Sequence, residues 1–202
     1  MNRFVSFVFG VMGMAAMASA APVFFTDAAF NGAHGQASFT SEDYGITLTA
    51  APFGAKLTKD AAGIGIDYGI IDESDEIDYP EVLTISFDKQ VNLNSVYISK
   101  LFHDELKLLW FTIASWDEEG TYELSNGETG DFVTTNQNGE LTLNINQMVK
   151  SIKFYAKDEC LTGITNDFSV RGVDFTAVPE PTLLSLLGIG LIGLGFVRNR
   201  RK

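Results

Sequence analysis

The sequence contains one cysteine, Cys160, and two histidines, His34 and His103, among 202 residues. A single cysteine excludes an intramolecular disulfide, so the apolar core has to stabilise the fold. The acidic neighbours of Cys160, Asp158 and Glu159, disfavour its thiolate, which argues against a nucleophilic role. Two isolated histidines lack the spacing of zinc ligands, and no G-x-S-x-G motif of a serine hydrolase is present.

Basic residues are also scarce, since 14 Lys and Arg stand against 26 Asp and Glu, for a net charge of −12. Such a surface repels nucleic acid and anionic lipid, so we expect no nucleic-acid partner. The charge fits a soluble extracellular protein, and it could also recruit cations. Between residues 21 and 177 the balance is 25 acids to 9 bases, a net charge of about −16.

No long amphipathic helix is evident in residues 21–177, where the apolar residues recur with a period of two. Glycine-containing turn signals separate these runs, as at Asn126-Gly127 and Asn138-Gly139. The run at 108–114 is apolar on both faces, which predicts a central strand. Further half-buried strands are predicted at 23–26, 37–40, 45–50, 63–67, 82–87, 95–101, 121–124, 132–135, 140–145, 150–157 and 168–177.

The pattern therefore predicts an all-β domain, an antiparallel β-sandwich that is jelly-roll-like. In the last strand the apolar alternation changes phase across Gly172, which predicts a β-bulge there.

Residues 1–20 have the pattern of a cleaved secretory signal peptide. Arg3 gives a positive start, residues 4–17 are apolar, and residues 18–20 are small. We expect signal peptidase to cut between Ala20 and Ala21. The alternative is an uncleaved N-terminal anchor.

Residues 178–202 have three parts in order: the tripeptide Pro179, Glu180 and Pro181, an uncharged run at 182–197, and a basic end at 198–202. As a helix the run would be about 24 Å long, which predicts one short transmembrane helix with the basic end in the cytoplasm. The alternative for this segment is a permanent membrane anchor.

This arrangement resembles the PEP-CTERM sorting signal of Gram-negative bacteria, over residues 178–202 only. The resemblance implies that an exosortase in the inner membrane recognises Pro179, Glu180 and Pro181 and removes the tail. It further implies that residues 21–177 then pass to the cell surface or to an extracellular polysaccharide matrix.

An acidic loop places six carboxylates between residues 72 and 81. Crowded carboxylates repel one another unless a cation bridges them, and calcium accepts oxygen ligands from irregular loops. Asp72, Asp75, Glu76 and Asp78 are therefore candidate calcium ligands, although the loop lacks the register of an EF-hand. The alternative is a solvated acidic loop without a cofactor.

Aromatic side chains could stack on sugars, and the candidates are Trp110, Trp116, Tyr97, Tyr122 and Phe102. Trp110 lies in the most apolar predicted strand and is expected in the core, so Trp116, at a strand end, is the better candidate. We expect an exported, non-catalytic surface or matrix protein that binds glycan or calcium. The alternative is an extracellular glycan-active hydrolase on the same fold. No carboxylate pair with the required separation can be selected from the sequence.

Overall fold

The computed structural model describes residues 21–68, 75–108, 111–134, 137–157 and 166–178, without the side chains of residues 103–116. These residues lie within one compact unit, Ser19–Val178. The predicted signal peptide and the predicted transmembrane segment fall outside the described residues. Within them, no helix is long and apolar enough to cross a membrane.

The described residues form twelve strands and one 3-10 helix, Ala28–Phe30, as follows: β1 (Val23–Phe24), β2 (Ser38–Ser41), β3 (Ile46–Ala51), β4 (Lys56–Lys59), β5 (Ile64–Asp67), β6 (Val82–Ser99), β7 (His103–Leu108), β8 (Phe111–Asp117), β9 (Glu119–Leu124), β10 (Thr129–Val133), β11 (Leu141–Ala156) and β12 (Ser169–Ala177).

The long strands β6 and β11 pair with each other and organise the main sheet. The first half of β6 has β3 on its other side, and the second half of β11 has β9. The second half of β6 pairs instead with β12, which in turn contacts β1 and β5. The main sheet thus has two halves that share the same two strands.

The two halves meet at an irregular part of the pairing between β6 and β11. Asp88, Lys89 and Gln90 of β6 are exposed, and the register with β11 shifts between Val149 and Ser151. A register shift bends a strand and increases its twist, so it can turn one ribbon from the first half of the sheet into the second.

The core follows the period of two. Leu83 and Ile85 of β6 are fully buried, while Thr84 between them is only half-buried. Phe132 and Phe168 pack edge to face, with ring centroids 5.1 Å apart. Alternating burial of this kind supplies the apolar core that a chain without disulfides requires.

The prediction of an all-β, antiparallel domain is confirmed, because every pair of described strands is antiparallel. The jelly-roll connectivity is a finer statement and stays a prediction. The predicted bulge at Gly172 is confirmed by a register shift between Val170 and Gly172.

The prediction of a central strand at 108–114 is wrong. Leu108 ends β7 and pairs with Phe111, the first residue of β8, so the chain reverses inside the apolar run. β7 and β8 form a separate two-stranded sheet. The run contains no Gly, Pro, Asn or Asp, so its composition does not signal the turn.

Candidate functional site

A cavity of about 370 Å³ opens on the second half of the main sheet. We call it the ring cavity and define it by Phe24, Tyr97, Glu140, Thr142 and Arg171, which line it together with Ile98 and Leu141. Its volume lies in the range of small-ligand sites. The lining residues come from β1, β6, β11, β12 and the residue before β11.

Strand register brings the two rings of this cavity together. Tyr97 of β6 and Phe24 of β1 both pair with Gly172 of β12, from opposite sides, and Thr142 of β11 pairs with Tyr97. The ring centroids of Phe24 and Tyr97 are 5.4 Å apart, and the ring planes are tilted by 43°. Phe24, Gly172, Tyr97 and Thr142 therefore lie in one row across four neighbouring strands, which brings two aromatic rings and a hydroxyl together.

Gly172 makes this arrangement possible. A Cβ at this position would lie 2.4 Å from the carbonyl oxygen of Val23 and 3.0 Å from the Phe24 ring. Only glycine lets β1 approach β12 closely enough for the two rings to meet.

Arg171, next to the bulge, supplies the charge of the ring cavity. Its guanidinium carbon lies 5.9 Å from the centroid of the Phe24 ring, and its Nη1 donates to Oε1 of Glu140. Its Nε is buried and has no hydrogen-bond partner among the described residues. The guanidinium is thus positioned by a ring and a carboxylate and still presents N–H donors.

The ring cavity combines the groups that recognise a polyhydroxylated molecule. The rings offer apolar faces, Arg171 offers donors, Glu140 offers acceptors, and Thr142 offers a hydroxyl that does both. Glu140 is the one carboxylate among the described residues that line it.

Part of the predicted calcium loop is held by an ion-pair cluster. The Lys100 ammonium lies 3.0 Å from Oε1 of Glu76 and 2.8 Å from Oδ2 of Asp60. Burial of Asp60 raises its pKa, but hydrogen bonds from Lys100 and the amides of Ala62 and Gly63 outweigh burial and hold that pKa below its usual value. The pKa of Lys100 is raised, because its hydrogen bonds to Asp60 and Glu76 outweigh the opposing effect of burial.

The other predicted calcium ligands are not brought into one site by the described structure. Asp72 lies outside the described residues, and the amide of Asp78 donates to Oε2 of Glu81 in a local turn. Within the described part of the chain, no three His, Cys, Asp or Glu side chains are grouped so that they could hold a metal ion. The calcium site at Asp72, Asp75, Glu76 and Asp78 stays a prediction.

The aromatic residues predicted as candidates for sugar stacking lie in different parts of the fold. Trp116 lies in β8, in register with Asp104, but its side chain is outside the described part of the chain, so its stacking role stays a prediction. Tyr97 does line the ring cavity. Sequence reasoning missed Phe24, Glu140 and Arg171, and the one available signal was the predicted bulge next to Arg171.

The sorting tripeptide Pro179, Glu180 and Pro181 also lies outside the described residues, as does the predicted cleavage residue Ala20. The structure does describe the strand that leads to the tripeptide. β12 stays paired with β6 up to Ala177, which lies opposite Val91.

The family model of the PEP-CTERM protein-sorting motif matches residues 177–201. No curated protein and no solved structure is significantly similar to this chain. The predicted resemblance of the C-terminal segment is therefore confirmed for that segment. The chain carries a PEP-CTERM sorting segment that begins at Ala177, the last residue of β12, and this motif implies exosortase processing, export and placement at the cell surface or outside the cell.

Proposed function

We propose that the exported domain is a non-catalytic, glycan-binding protein of the cell surface or extracellular matrix. The sorting segment at residues 177–201 delivers it, and the ring cavity binds a sugar chain of the surrounding polysaccharide. Signal peptidase removes residues 1–20, and the precursor passes through the inner membrane before exosortase acts. The observation that carries the binding proposal is the juxtaposition of Phe24, Tyr97 and Arg171 in one cavity.

The chemistry of the cavity favours a sugar as its ligand. A pyranose ring has apolar C–H faces that pack on an aromatic ring, and its hydroxyls need both donors and acceptors at the edge. Tyr97 supplies the ring face, while Arg171 and Glu140 supply the donors and acceptors. The pairing of Arg171 with Glu140 balances their charges, which suits an uncharged hexose better than a polyanion. The surplus of acidic residues over basic ones supports the same preference.

The same lining supports binding rather than hydrolysis. Glycosidases use two carboxyl groups, about 5–5.5 Å apart in retaining enzymes and about 6.5–9.5 Å apart in inverting ones. Glu140 is the one carboxylate among the described residues of the lining, so these residues do not supply the pair that hydrolysis requires.

A glycan array, followed by titration calorimetry with the best neutral oligosaccharide, tests this proposal on the exported protein purified from the cell surface. Tyr97→Ala and Arg171→Ala should each weaken binding by about tenfold, the loss expected when an anchor worth about 1.4 kcal/mol is removed. Tyr79→Ala is the matched control, because Tyr79 is an exposed tyrosine that does not line the ring cavity. Wild-type affinity in both ring-cavity variants would refute the site, and release of reducing sugar would refute the non-catalytic role.

A further inference from the structure

A second, smaller cavity lies where the last strand ends. It has a volume of about 240 Å³ and is mostly apolar. We call it the exit cavity and define it by Tyr44, Phe87, Val91, Phe175 and Ala177, which line it together with Gly45, Asp88 and Lys89. The ring cavity shares none of these residues.

The aromatic side chains that line the exit cavity are held in place by contacts with neighbouring rings. The Tyr44 ring, 37% exposed, stacks on the fully buried Phe30, with centroids 5.8 Å apart and planes within 5°. The rings of Phe87 and Phe175 pack with their centroids 5.0 Å apart. A pocket whose rings are fixed by their neighbours can accept an apolar side chain without first being ordered.

The exit cavity adjoins the sorting segment in the covalent chain. Ala177 lines the cavity, ends β12 and is the first residue of the matched segment. Val178 alone separates it from Pro179, so covalent geometry limits the Cα of Pro179 to about 7 Å from that of Ala177. Ala177 is still in register with Val91, so Val178 is the one residue of the sequence between the paired strand and the tripeptide.

An enzyme that engages residues 179–181 must therefore approach the end of the sheet. We propose that the exit cavity is a second recognition site for the exosortase and takes an apolar side chain of that enzyme. This inference rests on the sorting segment and is independent of glycan binding. It makes the folded domain part of the substrate, so that recognition extends beyond the tripeptide.

The competing possibility is that the sheet end only obstructs the enzyme and β12 has to detach before cleavage. The two possibilities predict opposite effects of a linker. Inserting Gly-Ser-Gly-Ser between Val178 and Pro179 moves the tripeptide away from the exit cavity and leaves the fold untouched. The insertion slows processing if the cavity is a docking site, and it speeds processing if the sheet end is an obstacle.

Pulse–chase conversion of the full-length precursor to its tail-free form, in cells that contain the exosortase, measures this effect. Tyr44→Glu should slow conversion by about tenfold, because it places a charge in the apolar pocket. Tyr79→Glu, on the turn before β6, should leave the rate unchanged. The Gly-Ser-Gly-Ser insertion should also slow conversion. Because it lies after the last strand and leaves the folded domain unchanged, slower conversion of this variant cannot be ascribed to misfolding, as it could be for Tyr44→Glu. A wild-type rate for Tyr44→Glu, or faster conversion of the insertion variant, would overturn the proposal.

Discussion

Phe24 and Tyr97 meet across Gly172, their ring centroids 5.4 Å apart on either side of the last strand. The contact joins a two-residue strand near the start of the exported domain to a residue near the end of β6, the longest described strand. It depends on a residue without a Cβ, because β1 and β12 approach within the space a methyl group would occupy.

Gly172→Ala should therefore separate β1 from β12 and disturb the ring cavity. A methyl group pressed against the carbonyl oxygen of Val23 cannot be relieved by a side-chain rotation, so backbone has to move. We expect a loss of about 2 kcal/mol in the free energy of unfolding, typical of an overpacked site. Urea unfolding measures the loss, and near-ultraviolet circular dichroism reports the displaced rings. An unchanged unfolding midpoint would show that β1 does not pack as described.

Replacing Pro179, Glu180 and Pro181 together by alanine should leave the full-length precursor in the membrane fraction. The change removes the element that the resemblance assigns to exosortase recognition, and it leaves the apolar run intact. Fractionation with intact-mass analysis distinguishes the precursor from a mature form that begins at Ala21. Asn199→Ala, inside the matched segment but outside the tripeptide, is the control and should be processed normally. Normal release of the triple variant would contradict the sorting assignment.

Lys100→Met should lower the free energy of unfolding by about 1 kcal/mol at pH 7, since two partly exposed carboxylates lose their cation. The folded-state pKa of Asp60 is lowered. Its contribution to the free energy of unfolding is therefore complete above the usual pKa of 3.8 and is lost as the pH falls through the folded-state pKa. The pKa of Lys100 is raised, so its contribution is complete below the usual 10.5 and is lost as the pH rises through the raised value.

The destabilisation by Lys100→Met is thus expected between about pH 4 and pH 10, and it should shrink at lower pH. Urea unfolding at pH 2 and pH 7 measures it. Lys56→Met on the exposed face of β4 is the matched control and should have little effect at either pH. Equal destabilisation by Lys100→Met at both pH values would show that loss of packing, and not the ion pairs, is responsible.

Much of the strand pattern could be predicted from the sequence, because half-buried strands alternate visibly. The sequence predicts separate strands at 82–87 and 95–101, but a single strand, β6, runs from Val82 to Ser99. Asp88, Lys89 and Gln90 look like a turn because they are exposed and polar, yet they lie inside a continuous strand. Composition alone does not distinguish such a stretch from a turn.

The ring cavity could not be predicted as a site, since its members come from distant parts of the chain. Phe24 and Arg171 are 147 residues apart in the sequence and meet only through the register of β1 with β12. The apolar alternation changes phase near Gly172 and so indicates the bulge, but nothing in the sequence indicates which strand pairs with β12. The sorting segment was predictable for the opposite reason, because its three parts are contiguous.

The distribution of the protein between the extracellular matrix and the culture medium tests the central claim most directly. Wild-type protein and the double variant Tyr97→Ala/Arg171→Ala should reach the same mature mass, because the sorting segment is unchanged. The wild type should remain with the matrix, and the double variant should appear mostly in the medium. Retention of a correctly processed double variant in the matrix, at the wild-type level, would contradict the claim that the ring cavity holds this domain to extracellular glycan.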